Sequence, residues 1–131
     1  MTQSPDVERM VHRARLLLQE GQNDLVLAGL EAIHTDNEEH QQEIAYLRGS
    51  VYLMTGKESQ AKAKLAEGEH RRKLLGEAIE WFEKAQKQLS LTQKRDNVAE
   101  MYSRWAEVHE ELGQLQEALI CLKSAYEALS Y

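Results

Sequence analysis

A nine-residue pattern recurs forty positions apart. Glu77-Ala78-Ile79-Glu80-Trp81-Phe82-Glu83-Lys84-Ala85 returns as Glu117-Ala118-Leu119-Ile120-Cys121-Leu122-Lys123-Ser124-Ala125. Each copy sets a small Ala, a large apolar residue four later, and a second Ala three after that. On an α-helix those positions share one face. The small residues let two backbones approach, and the bulky one fills the gap beside them. A chain that repeats such a unit buries it by stacking helices side by side.

The rest of the chain agrees. Proline occurs once in 131 residues, and Ala, Leu, Glu, Lys, Gln and Arg dominate. Such a composition favours helices throughout. No stretch shows a useful period of two. The expectation is an all-α single domain over residues 1–131, a superhelix of antiparallel helix hairpins with six or seven helices. Helix one is expected from Pro5 to Glu20, capped by Ser4 and stopped by Gly21. Helix two runs from Asp24 to Ile33, with Asn23 as its cap. Helix three runs from Glu38 to Met54, ended by Gly56. The last two run from Asn97 to Leu112 behind Asp96, and from Gln116 to Leu129, the latter carrying Ala118, Leu122, Ala125 and Leu129 inward.

Residues 57–91 leave two paths open. Ala61, Leu65 and Gly68 continue one stripe, and Leu75, Ile79, Phe82 and Leu89 another. Glu69-His70-Arg71-Arg72-Lys73 separates them without Pro, Asn or Asp to mark a turn. Either the chain makes a hairpin near Lys73–Gly76, or one helix of roughly 35 residues runs through.

The Ala-x3-large-x2-Ala spacing resembles the second helix of the tetratricopeptide repeat. The first helix of that family has a small residue, a Tyr-like residue three later and Gly four after. The closing hairpin resembles this in Trp105-Ala106, His109, Gly113, Ala118, Leu122 and Ala125. An earlier one does so in Gly49, Tyr52, Gly56, Ala61 and Leu65, and the first in Ala14, Leu17, Gly21, Val26, Leu30 and Ile33. His109 and Leu17 stand where the family has an aromatic. The forty-residue offset exceeds the family's usual 34.

The resemblance implies a module that binds another protein or peptide in a concave groove and is no enzyme. Carried over position by position, the groove is Glu8, Val11 and Arg15 on helix one. It continues with Tyr46, Ser50 and Leu53 on helix three, and with Ser103, Glu107 and Glu110 on the helix before the last. This mixture of apolar and acidic side chains suits an amphipathic helix or a basic extended peptide. Two other functions fit such a repeat. One is the ligand- or peptide-sensing part of a transcription regulator. The other is a homo-oligomerisation module pairing through the C-terminal helix, where Tyr126, Leu129 and Tyr131 lie.

Catalytic and metal chemistry find little support. His34, His40 and His109 have acidic neighbours but no ligand pair at helical spacing, so no metal or other cofactor is expected. Cys121 falls on an inner stripe with no partner base, which fits a buried, inert thiol. No glycine-rich loop follows a strand. His70-Arg71-Arg72-Lys73 and the stripe of Arg9, Arg13 and Arg15 are basic, but net charge is −6 and no aromatics interleave with them, which disfavours nucleic acid. Trp81, beside Phe82, either covers a neighbouring helix or marks an interface. No run approaches the ~20 apolar residues of a membrane span. The N-terminal residues lack a secretory pattern, and one cysteine allows no internal disulfide. A cytoplasmic setting is the expectation.

Overall fold

A computed structural model describes residues 5–130. Six helices follow one another: α1 (Pro5–Gln19), α2 (Asn23–Glu31), α3 (Glu38–Lys64), α4 (Gly68–Leu89), α5 (Arg95–Glu111) and α6 (Leu115–Leu129). The fold is all-α, and no strand occurs among the described residues. Sequential helices pair as antiparallel hairpins, and none is long and apolar enough to cross a membrane.

Two of the hairpin turns are built alike. At Gly21 (φ +75°), the Gly21 N–H donates to Leu18 O at 3.0 Å and the Gln22 N–H to Leu17 O at 2.9 Å. At Gly113 (φ +75°), the Gly113 N–H donates to Glu110 O at 3.0 Å and the Gln114 N–H to His109 O at 2.8 Å. The left-handed glycine lets the next N–H reach back five residues and satisfy a terminal carbonyl. Helix α3 starts on a side-chain cap, Asn37 Oδ1 accepting from the His40 N–H at 3.0 Å, with Glu38 and Glu39 at the positive end of the dipole. The expected Ser4 cap lies outside the described residues. Asn23 is the first residue of α2, with Oδ1 buried and unpartnered, and Gln22 at the cap position makes no side-chain bond. Asp96 likewise sits inside α5, behind Lys94.

The middle of the chain follows neither expected path. Helix α3 runs on through Gly56 for 27 residues, and the turn falls at 65–67, ahead of Lys73–Gly76. Leu65 stands in that turn at 92% exposure, and Ala61 is exposed, so neither belongs to a core stripe. Gly68 opens α4, and His70-Arg71-Arg72-Lys73 lies in that helix's first turns.

Gly56 does not end the helix because it is a packing position. A Cβ there would lie 2.5 Å from Phe82 Cε1, and one at Gly49 would lie 2.7 Å from Leu89 Cδ2. These two contacts set the register of α3 against α4. The same register puts Leu53 opposite Ala85, Gln60 opposite Ala78, and Ala63 opposite Leu75. All of these residues are buried. Both helices therefore present a seam at alternating steps of four and three. Most layers match a bulky side chain with a small one or none, which brings the backbones close.

Two cores result. One joins Leu53, Ala63, Leu75, Ala78, Phe82, Ala85, Leu89, Met101 and Val108 of α3, α4 and α5. The other joins Val11, Ala14, Val26, Leu30, Ile33, Ile44, Leu47 and Val51 of α1, α2 and the first half of α3. Ile44, Leu47 and Val51 lie on the face of α3 opposite Gly49, Leu53, Gly56, Gln60 and Ala63, at 100° per residue. One helix thus serves both cores by changing the side it buries.

Helix α6 packs closely on α5 alone. Its buried positions are Ala118, Cys121 and Ala125, and α5 buries Ala99 and Ala106. Leu122 and Leu129, expected inward, are 45% and 61% exposed. The equivalent large residue of α4, Phe82, is fully buried because α4 has helices on two sides.

Candidate functional site

Polar side chains bridge the first helices of the three hairpins. Arg15 of α1 pairs with Glu43 of α3. Farther along α3, Lys57 Nζ donates to Glu100 Oε2 of α5 at 2.9 Å, and Gln60 Nε2 to Glu107 Oε2 at 3.0 Å. Arg71 of α4 approaches Glu111 of α5 at 3.6 Å.

Where α1, α3 and the α4–α5 connection meet, the Arg15–Glu43 pair borders a cleft of about 530 Å3. Arg15, Gln42, Glu43, Tyr46, Gln93 and Lys94 are among its walls. Tyr46 is the aromatic residue among these walls. It is half-buried, it packs against both cores, and Lys94 Nζ stands 5.2 Å from its ring centroid. The cleft offers an aromatic platform, two side-chain amides and charges of both signs. Such groups can bind the backbone amides and mixed side chains of an extended polypeptide.

The residues expected to line a groove divide three ways. Arg15 and Tyr46 come together in this cleft. Val11 (2% exposed) and Leu53 (4%) are core residues and offer nothing to a partner. The others flank the bridged face or lie beyond it. Glu8 and Glu110 are exposed, Ser103 is half-buried, and Ser50 Oγ is buried without a hydrogen-bond partner. Glu107 is engaged by Gln60 and lies 3.8 Å from Arg104. Glu39, Gln42, Glu43, Thr92, Gln93 and Lys94 were missed. The last three reach the cleft from a loop, which carries no helical period to be read.

A second cavity of about 290 Å3 lies between α5 and α6, against Tyr102, Trp105, His109 and Cys121. Tyr102 and Trp105 stack with their rings nearly parallel (2°), and Trp105 Nε1 is buried without a partner. Burial raises the pKa of the Cys121 thiol, so it is a weaker source of thiolate than a free cysteine. Trp81 is half-buried, tilted on Tyr52 with ring centroids 5.9 Å apart, and carries Lys84 Nζ 4.4 Å over its ring. Among the described residues no three His, Cys, Asp or Glu side chains gather as metal ligands.

The other unexpected surface is on α6. Leu115, Leu119, Leu122, Tyr126 and Leu129 form a continuous exposed stripe at steps of four and three. That spacing is visible in the sequence, but it could not be told from a core stripe. Comparison of the chain with protein-family models, curated proteins and solved structures finds no match.

Proposed function

We propose that this chain is a protein-interaction module of the tetratricopeptide kind, one that receives an extended peptide or partner helix in the cleft around Tyr46. The observation that carries this reading is the cleft itself. It is open and side-chain-lined, it includes an aromatic ring that packs against both cores, and its walls carry Arg15 and Lys94 together with Glu39 and Glu43. The repeated glycine turns and the small-against-large helix seam support the family assignment. A surface with both charge signs and an apolar platform favours a polypeptide over a single small anion. Chemistry on a substrate is not part of the proposal.

The test is selection from a displayed peptide library. The wild-type chain should enrich a common motif. Tyr46→Ala and Lys94→Glu should each weaken capture of that motif by about tenfold or more, as loss of a buried anchor does. Leu119→Glu, on α6, should leave it unchanged. Enrichment of no motif, or equal binding by Tyr46→Ala, would refute the cleft.

A further inference from the structure

The turn that joins α3 to α4 has two features that the cleft does not use. Leu65 stands in it at 92% exposure, more than any other large apolar side chain described. Behind it, Lys62 and Lys64 end α3, and Arg72 and Lys73 follow in the first turns of α4. All four bases are exposed and make no ion pair among the described residues. Lys57 and Arg71, by contrast, are engaged by Glu100 and Glu111 of α5. We propose that this turn is a peripheral membrane contact, in which Leu65 enters the headgroup layer of an anionic lipid surface and the four bases hold its charged groups.

Charge complementarity chooses the sign of the occupant. Residues 57–73 hold six of the 16 Lys and Arg and three of the 22 Asp and Glu, a balance of +3 in a chain of −6. The turn is thus a basic pole on an acidic molecule. An anionic surface attracts it and repels the remainder, which orients the chain. Glu58, Glu67 and Glu69 lie in the same segment, and Glu110 and Glu117 flank the neighbouring α5–α6 turn. These acids keep the attraction weak.

The order of the groups chooses lipid among anionic partners. The leucine is foremost, and the bases lie within about 8 Å of the two helix ends at 1.5 Å per residue. A bilayer meets such a turn in matching order, with hydrocarbon for the leucine beneath a layer of charge for the bases, over a depth of about 5–10 Å. A nucleic acid puts phosphate outermost, where a leucine gains nothing, and residues 57–73 contain no Phe, Tyr or Trp on which bases could stack. No residue of 57–73 lines any of the larger cavities, so the turn is a peg with no groove for a peptide.

The contact is peripheral and reversible, since one leucine and four bases fall short of a stable anchor. Glu43 and Lys64 are 21 residues apart on α3, about 30 Å along the helix. The cleft around Tyr46 therefore stays open while the turn is docked.

The experiment is co-sedimentation of the full chain with lipid vesicles. Wild type should pellet with phosphatidylcholine vesicles that contain about one third phosphatidylserine, and not with phosphatidylcholine alone. Rising salt should release it. Leu65→Ser should lower the bound-to-free ratio about tenfold, as keeping one leucine in water does. Lys62→Glu/Lys64→Glu should abolish pelleting. Leu119→Glu, which removes an exposed leucine outside the turn, should leave it unchanged. All substituted residues are exposed, and unchanged circular dichroism verifies folding. A wild type that ignores anionic vesicles, or a Leu65→Ser variant that pellets equally well, would overturn the proposal. Duplex DNA and polyglutamate replace the vesicles in two further arms. Binding to either one by a chain that ignores vesicles would assign the bases to a polyanion and overturn it too. Tyr46→Ala should pellet like wild type, so failure here leaves the cleft standing, and failure of the cleft leaves the turn.

Discussion

Gly56 and Phe82 occupy one layer of the α3–α4 seam, and the glycine is there for space. Adding a methyl at Gly56 drives it into a ring that cannot swing away, the nearest carbon lying 2.5 Å from the new Cβ. Overpacking of this kind costs about 1–3 kcal/mol, and better helix propensity returns up to about 1 kcal/mol. Gly56→Ala should therefore lower stability by up to about 2 kcal/mol in urea unfolding. Gly76 is the control, interior to α4 with nothing within 4 Å of an added methyl. There only propensity acts, so Gly76→Ala should raise stability by about 0.5–1 kcal/mol. A gain at both positions would show that propensity, and not the seam, decides. Cys121 gives a second check at this scale. It is 6% exposed and burial raises its pKa, so at pH 8 it should react with a thiol reagent far more slowly than free cysteine. The raised pKa also has a sign for stability. Its contribution is full below the unfolded thiol's pKa and is lost as pH climbs through the folded one. Denaturation should restore the ordinary labelling rate.

At the scale of the element, α3 explains most of what the sequence did not disclose. Its buried residues switch faces midway, Ile44, Leu47 and Val51 on one side and Leu53, Gly56, Gln60 and Ala63 on the other. A single-face period therefore fades near residue 54 although the helix continues. Glycine then looked like a stop, because a terminator and a close-packing residue are the same letter. The turn at 65–67 escaped notice because Leu65, an apolar residue, is nearly fully exposed there. Helices α1, α2, α5 and α6 were legible because each buries one continuous face and two end on a left-handed glycine. On α6 the error was in direction: alanines face α5, and leucines face out. The two faces of α3 predict separable effects. Leu47→Ala and Leu75→Ala each remove a side chain that is 1% exposed, at a cost of about 2–5 kcal/mol. Leu47→Ala should speed hydrogen exchange first in α1 and α2. Leu75→Ala should do so first in α4 and α5. Identical exchange maps would mean that the cores are one unit.

For the whole molecule, the all-α class and hairpin order were readable, because repeated spacing and capping are local. The cleft was readable only in part, because Arg15 and Tyr46 sit on helices while Gln93 and Lys94 arrive by a loop. What couples the two ends is a continuous α3, and that can be tested. Both tryptophans, Trp81 and Trp105, pack on the α4–α5 side, so their fluorescence reports that core, whereas far-ultraviolet dichroism reports all six helices. In the wild type the two signals should trace one urea transition, since losing either core strips one face of α3. Ser50→Pro removes the N–H bond to the carbonyl of Tyr46 and sets the proline ring against that carbonyl, at a cost of about 3 kcal/mol or more. The residue lies at the middle of α3, between Leu47 of one core and Leu53 of the other. A break there leaves the seam from Leu53 to Ala63 intact against α4 but frees the Ile44 to Leu47 segment to unfold with α1 and α2. Dichroism should then fall at lower urea than fluorescence, with the gap marking the N-terminal core melting first. Coincident curves in the proline variant would mean that the cores hold each other through contacts other than α3, and its continuity would no longer account for the unity of the fold.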